Sequence, residues 1–154
     1  MHASARVEQS ICALVMLGTQ KGQQPLKSAV LSKRLQLSDS YLKKTMHLLV
    51  SAGIVRSIAS KDGGFQLNRA PEDITVLDIY QAVEGTEPLF RLTGVAERVF
   101  LNPTTIHRKE NEIMGQLDEA QSLFFEQLAQ YRLADILVNV DYPDGTIDWN
   151  EVVK

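Results

Sequence analysis

The sequence predicts a mainly α-helical protein with one small β-hairpin. Three observations carry that reading. Apolar side chains recur at helical spacing over most of the chain. One β-branched run, Ile54-Val-Arg-Ser-Ile58, is followed by a glycine-containing loop and by Phe65-Gln-Leu-Asn68, which alternates apolar and polar. The 154 residues are 44% hydrophobic and 23% charged, a globular composition that can build a core without disulfide or metal staples.

Taken in order, Val7, Ile11, Leu14, Val15 and Gly18 form the first helical stripe. Residues 11–17 are almost continuously apolar, so this helix should be central and Cys12 within it buried. Gly22 to Pro25 is a connection. A short helix follows from Ser28 to Leu35, with Ala29, Leu31 and Leu35 expected inward. After a turn at Gln36-Leu-Ser38, Ser38 is a good N-cap for a helix whose inner stripe is Leu42, Met46, Leu49 and Val50. Gly53 closes it. Its solvent face holds Ser40, Tyr41, Lys44, His47 and Ser51, with Lys43 at the edge. The hairpin comes next, with Lys61 in its loop. Thr75 and Asp78 then resemble a capping box, opening a helix with Val76, Ile79, Tyr80 and Val83 inward and Gly85 at its end.

Residues 86–103 have a weak pattern. The longest helical signal runs from about Thr105 to about Gln130 and carries Ile106, Ile113, Leu117, Ala120, Phe124, Leu128 and Tyr131. A helix this long in so small a chain cannot easily bury its stripe alone. A second copy of the chain is the simplest partner, so these residues are the predicted dimerisation face. Leu133-Ala-Asp-Ile-Leu137 adds one or two turns, and the tail from Asp141 holds a Pro-Asp-Gly turn and Trp149, so that it either stays mobile or docks through the Trp. The predicted domains are therefore residues 1–85, a connecting loop and dimerisation helix over 86–140, and a tail over 141–154.

Charge divides along the chain. Residues 1–69 hold ten Lys/Arg against three Asp/Glu, net +7, and residues 70–154 hold six against sixteen, net −10, returning the overall −3. A basic front and an acidic back fit a protein of which one portion meets a polyanion. The lone cysteine excludes an internal disulfide and a cysteine-ligated zinc or iron–sulfur site within one chain. No apolar run approaches the roughly 20 residues of a membrane span, and the start shows no secretory pattern, so a cytoplasmic location is expected. There is no nucleophile motif, no carboxylate pair with acid/base spacing and no phosphate-cradling glycine loop; an enzyme is not expected.

Helix, helix, tight turn, helix and hairpin is the order of a winged helix-turn-helix domain. Its third helix can fill a major groove, with short polar side chains and free amides at its start meeting bases or phosphates. A basic hairpin loop can reach the minor groove or backbone. The candidate DNA-contacting residues are Ser28, Ser38, Ser40, Tyr41, Lys43, Lys44, His47, Arg56, Ser57, Lys61, Gly63 and Gly64.

The runs Leu31-Ser-x-x-Leu-x-Leu-Ser38-x-Ser-Tyr-Leu42, Leu49-x-x-Ala-Gly-Ile-Val55, Gly63-Gly-Phe65-x-Leu67, Pro71-x-x-Ile-Thr75-x-x-Asp-Ile79 and Ala82-Val-Glu-Gly85 resemble the Rrf2 family of bacterial transcriptional regulators. The match is close over about residues 7–85 and looser beyond. The resemblance implies a winged helix domain, a long C-terminal helix that builds a homodimer, and binding to partly palindromic operator DNA, mostly as a repressor. It implies DNA contacts for Ser38, Ser40 and Tyr41, and a wing over Ser57 to Gly64. Two departures stand out. Many relatives carry Arg-Gly early in the wing, where this chain has Ala59-Ser60, leaving Lys61 as the nearest cation. Iron–sulfur members carry three cysteines between the fourth helix and the long helix, where residues 86–109 here hold none. The expectation is a cluster-free regulator with no cofactor and an unidentified effector. His107 is then a surface or helix-end residue, Cys12 a small hydrophobe rather than a redox sensor, and Glu110, Glu112, Asp118 and Glu119 a solvated acidic face. The competing function is a winged helix that docks a partner protein and keeps a vestigial DNA face.

Overall fold

A computed structural model describes residues 4–138 and 146–152. The chain divides into two compact units, Met1–Gly85 with Ala129–Lys154, and Thr86–Leu128.

The first unit is the winged helix domain. Helix α1 (Ala5–Thr19) starts where the Ser4 hydroxyl accepts from the Arg6 N–H at 3.2 Å. It threads the core with Ala13, Leu14, Met16 and Leu17. Helix α2 (Ser28–Leu35) buries Leu31 and Ser32. Ala29, expected inward, is exposed; it stands two residues from Leu31, about 200° round the helix. Gln36 takes the left-handed conformation (φ 54°) and turns the chain into α3 (Asp39–Ser51). Leu42, Met46 and Leu49 of α3 are buried as expected, with Thr45 beside them. The hairpin β1 (Val55–Ile58) and β2 (Gly64–Leu67) is antiparallel, with Val55 opposite Leu67 and Arg56 opposite Gln66. Leu26 adds a short third edge, exchanging backbone hydrogen bonds with Phe65 at 2.9 and 2.8 Å. Helix α4 (Val76–Glu84) opens with the predicted capping box: Asp78 N–H donates to Thr75 Oγ1 at 3.0 Å, and Thr75 N–H to the Asp78 carboxylate at 2.9 Å.

The region after the long helix departs from expectation. Helix α6 (Leu133–Leu137), which follows the long helix α5 (Pro103–Ala129), belongs to this first unit rather than to the predicted dimerisation segment. Leu133 is fully buried, and its N–H donates to the Ile74 carbonyl at 2.8 Å while Val76 N–H donates to the Tyr131 carbonyl at the same distance. Five residues are too few for a helix to hold itself, so its placement comes from this core burial and backbone pairing. The tail returns too. Ile147 exchanges backbone hydrogen bonds with Thr19 and Lys21, at 2.8 and 2.9 Å. Trp149, which opens α7 (Trp149–Val152), is 3% exposed. Its indole N–H donates to Thr19 Oγ1 at 3.1 Å and its backbone N–H to Gln20 Oε1 at 3.1 Å, while the Arg34 guanidinium lies 5.4 Å from the ring. Trp149 therefore docks, as the sequence suggested it could; the Pro-Asp-Gly turn at 143–145 lies outside the described residues.

In the second unit, residues 86–102 are irregular apart from a 3-10 turn over Val95–Arg98. Helix α5 runs Pro103–Ala129, 27 residues or about 40 Å. Ile106 is the one buried residue on it, 6% exposed, so Ile106 is withdrawn from the free face that the sequence assigned to it. Ile113 (57%) and Leu123 (61%) stand in solvent. Ala120 is exposed, and Leu117, Phe124 and Leu128 are half-buried. Tyr131 lies past the helix end, in the winged unit, half exposed.

Candidate nucleic-acid interface

The face of α3 opposite Leu42, Met46 and Leu49 is polar because a 13-residue helix that buries one stripe must leave the other in water. On it stand Ser40, Lys43, Lys44 and His47, all exposed, below Ser38 at the N-cap. Ser38 Oγ accepts from Tyr41 N–H at 3.3 Å. That bond leaves other first-turn amides and the positive end of the helix dipole facing outward.

Lys43 and Tyr41, two of the predicted contact residues on α3, are already engaged. Lys43 Nζ lies 2.7 Å from the Asp39 carboxylate. Lys43, then the Ser28 hydroxyl, hold the Asp39 carboxyl below the ordinary carboxylate range. Tyr41 is half-buried and its hydroxyl donates to Gln9 Oε1 of α1 at 3.0 Å, so it braces the helix as well as bordering its face. Lys44 has no carboxylate within ion-pair distance among the described residues.

The wing carries Ala59, Ser60, Lys61 and Asp62, all exposed, and Ser57 is exposed on β1. Gly63 is buried, contrary to its assignment as a contact residue. A Cβ there would lie 1.9 Å from the Ile58 carbonyl oxygen, so its role is to close the hairpin. At Gly64 a Cβ would lie 2.2 Å from the Leu26 carbonyl oxygen, which explains glycine where the third edge joins. Arg56 stands at the hairpin base. Its Nε and Nη2 donate to Gln66 Oε1 of β2 at 3.2 and 3.0 Å, and the side chain lines a cleft with Leu17 and Gly18 at the end of α1.

Sequence reasoning missed Gln9, whose partnership with Tyr41 spans 32 residues and leaves no local signal. It also placed Cys12 wrongly. The thiol is exposed on α1, because the buried stripe runs through Ala13, Leu14, Met16 and Leu17 instead. Partial desolvation, then Glu8, push its pKa up. Among the described residues no three His, Cys, Asp or Glu side chains gather as a metal site would need. No helix described is long and apolar enough to cross a membrane.

Comparison with known proteins agrees with this geometry. Residues 3–139 match the Rrf2 family, described as iron-dependent transcriptional regulators. The chain is similar to the HTH-type transcriptional regulator YwgB of Bacillus subtilis, 40% identical over 97% of this chain and 94% of that one. It is similar to YffB of Lactococcus lactis, of the same type, 32% identical over 96% and 98%. Among solved structures, CymR, the global cysteine regulator of B. subtilis, superposes with a TM-score of 0.64 at 23% identity, over 92% of this chain and 99% of that one, which shows the shared fold.

Proposed function

The chain belongs to the Rrf2 family and is a helix-turn-helix transcriptional regulator, and we propose that it represses from an inverted-repeat operator, bound as a homodimer in the cytoplasm. The observation that carries the DNA reading is the α3 face, where Ser40, Lys43, Lys44 and His47 lie exposed beside a capped helix N-terminus. This is the arrangement by which a recognition helix meets phosphates and base edges. Lys61 on the wing takes the place of an early wing arginine, and Ser57 and Gly64 border it. The dimer reading rests on α5, where among the described residues Ile113 and Ala120 are exposed and Leu117, Phe124 and Leu128 are only half-buried. Two copies pairing along α5 would present two recognition helices to one duplex.

The family description names iron, and the donor set here does not fit a cysteine-held cluster, since the chain has one cysteine in all. The proposal is therefore a regulator that works without that group. Selection from random DNA followed by footprinting tests the operator: an enriched palindrome protected on two half-sites supports it. No enrichment would instead favour a protein-docking winged helix. Iron analysis of protein purified without oxygen tests the cofactor proposal, which a stoichiometric iron content would refute.

A further inference from the structure

We infer that the open cleft at the base of the wing binds a small monocarboxylate with an apolar body, and that this ligand competes with DNA for Arg56. The cleft has a volume of about 520 Å³, within the range of small-molecule sites. Its apolar wall comes from Gly18 at the end of α1, Leu67 of β2 and Pro71 in the turn that follows β2. Arg56 enters from β1 and Gln23 from the turn after α1.

Arg56 is what selects the ligand class. A guanidinium carries five donors in a fixed fork. Here Nε and Nη2 are held by one oxygen, Gln66 Oε1, and the Gln66 amide in turn donates to the Gln23 carbonyl. The group is thus oriented by a chain of two hydrogen bonds, while its Nη1 end has no protein acceptor within hydrogen-bond reach and no carboxylate partner among the described residues. An oriented, uncompensated guanidinium beside an apolar wall suits a planar carboxylate with a hydrocarbon body. The second arginine of the cleft, Arg69, is already paired with Asp78 and with the Asp73 carbonyl. Glu72 on the same rim opposes a second negative charge. A monoanion is favoured over a dianion.

The coupling to DNA rests on the function proposed above and on the sequence-based assignment of Arg56 as a DNA contact. A bound carboxylate neutralises it, so operator affinity falls.

Benzoate and hexanoate serve as probes, with succinate and benzyl alcohol as controls, titrated into the full chain and followed by NMR. The expected result is saturable shifts of the Arg56 Nε–Hε and the Gln66 side-chain amide with both monocarboxylates and neither control. Arg56→Gln, at an exposed position, should keep the folded spectrum and weaken binding by about tenfold. Absence of these shifts, equal shifts with benzyl alcohol, or unaltered binding by Arg56→Gln overturns the site. If Arg56→Gln weakens DNA binding while no carboxylate binds, Arg56 serves DNA alone and the inference is again overturned. DNA affinity measured with and without saturating benzoate tests the coupling: a fall supports it, and no change overturns it. Failure of the ligand-free protein to bind any operator would instead strike the function proposed above, leaving the ligand titration to be judged by itself.

Discussion

Lys43 and Lys44 are neighbours on α3 with different electrostatic surroundings. Lys43 is neutralised locally by Asp39, and Lys44 is not. Lys44→Ala should therefore weaken binding to all DNA sequences alike and reduce the salt slope by about one, whereas Lys43→Ala should do less. Gel-shift titrations at two salt concentrations read both. Asp39→Asn should act the other way, releasing Lys43 and removing a negative charge beside the duplex. It should raise non-specific affinity while removing a favourable charge from the helix N-terminus, visible as a small fall in Tm. The Asp39 carboxyl titrates lower in the folded chain than in the unfolded one. Its pairing thus adds stability above the unfolded value and loses it as pH falls through the folded value, so near neutrality it does not switch. At Cys12 the shift has the opposite sign, so little thiolate forms near neutral pH. Iodoacetamide should modify Cys12 more slowly than free cysteine, and Glu8→Gln should narrow the gap.

At the scale of elements, the most informative test concerns the segments far apart in sequence that share the winged core. Trp149→Ala should destabilise the first unit by about 3–5 kcal/mol, as a buried aromatic ring and its anchoring hydrogen bond are lost. Denaturant titration monitored by circular dichroism would read it. Little of this was legible in the sequence. Helices α1, α3 and α4 and the hairpin declare themselves through local periodicity, caps and turn glycines, and each formed within a few residues of its predicted bounds. Leu133 and Trp149 declare only that they are apolar. Whether such segments extend a neighbouring helix or pack on a distant one depends on the backbone pairing of Leu133 with Ile74 and of Ile147 with Thr19, which no local pattern encodes. The candidate DNA face divides in the same way. Ser38, Ser40, Lys44 and His47 follow from helical phase alone. Gly63, Tyr41 and Arg56 were misjudged or only half understood because their partners, Ile58, Gln9 and Gln66, come from other turns and strands.

For the whole molecule, the charge division between residues 1–69 and 70–154 sets what a duplex can approach. The basic portion supplies α2, α3 and the wing, and the acidic portion supplies α5. DNA affinity should fall steeply as salt rises. The pairing along α5 proposed above gives a second prediction. Leu117→Glu with Phe124→Glu should convert a dimer into a monomer by light scattering and lower operator affinity by about a hundredfold or more, because two linked heads bind far better than one. The winged unit should stay folded, since its core is made of its own residues. That same core has a consequence for synthesis. Because Leu133 and Trp149 complete a head that begins at α1, the head can close only once residue 149 has left the ribosome. Nascent chains stalled before Trp149 has emerged should be more open to protease than the finished protein, although every residue of the recognition helix has already been made.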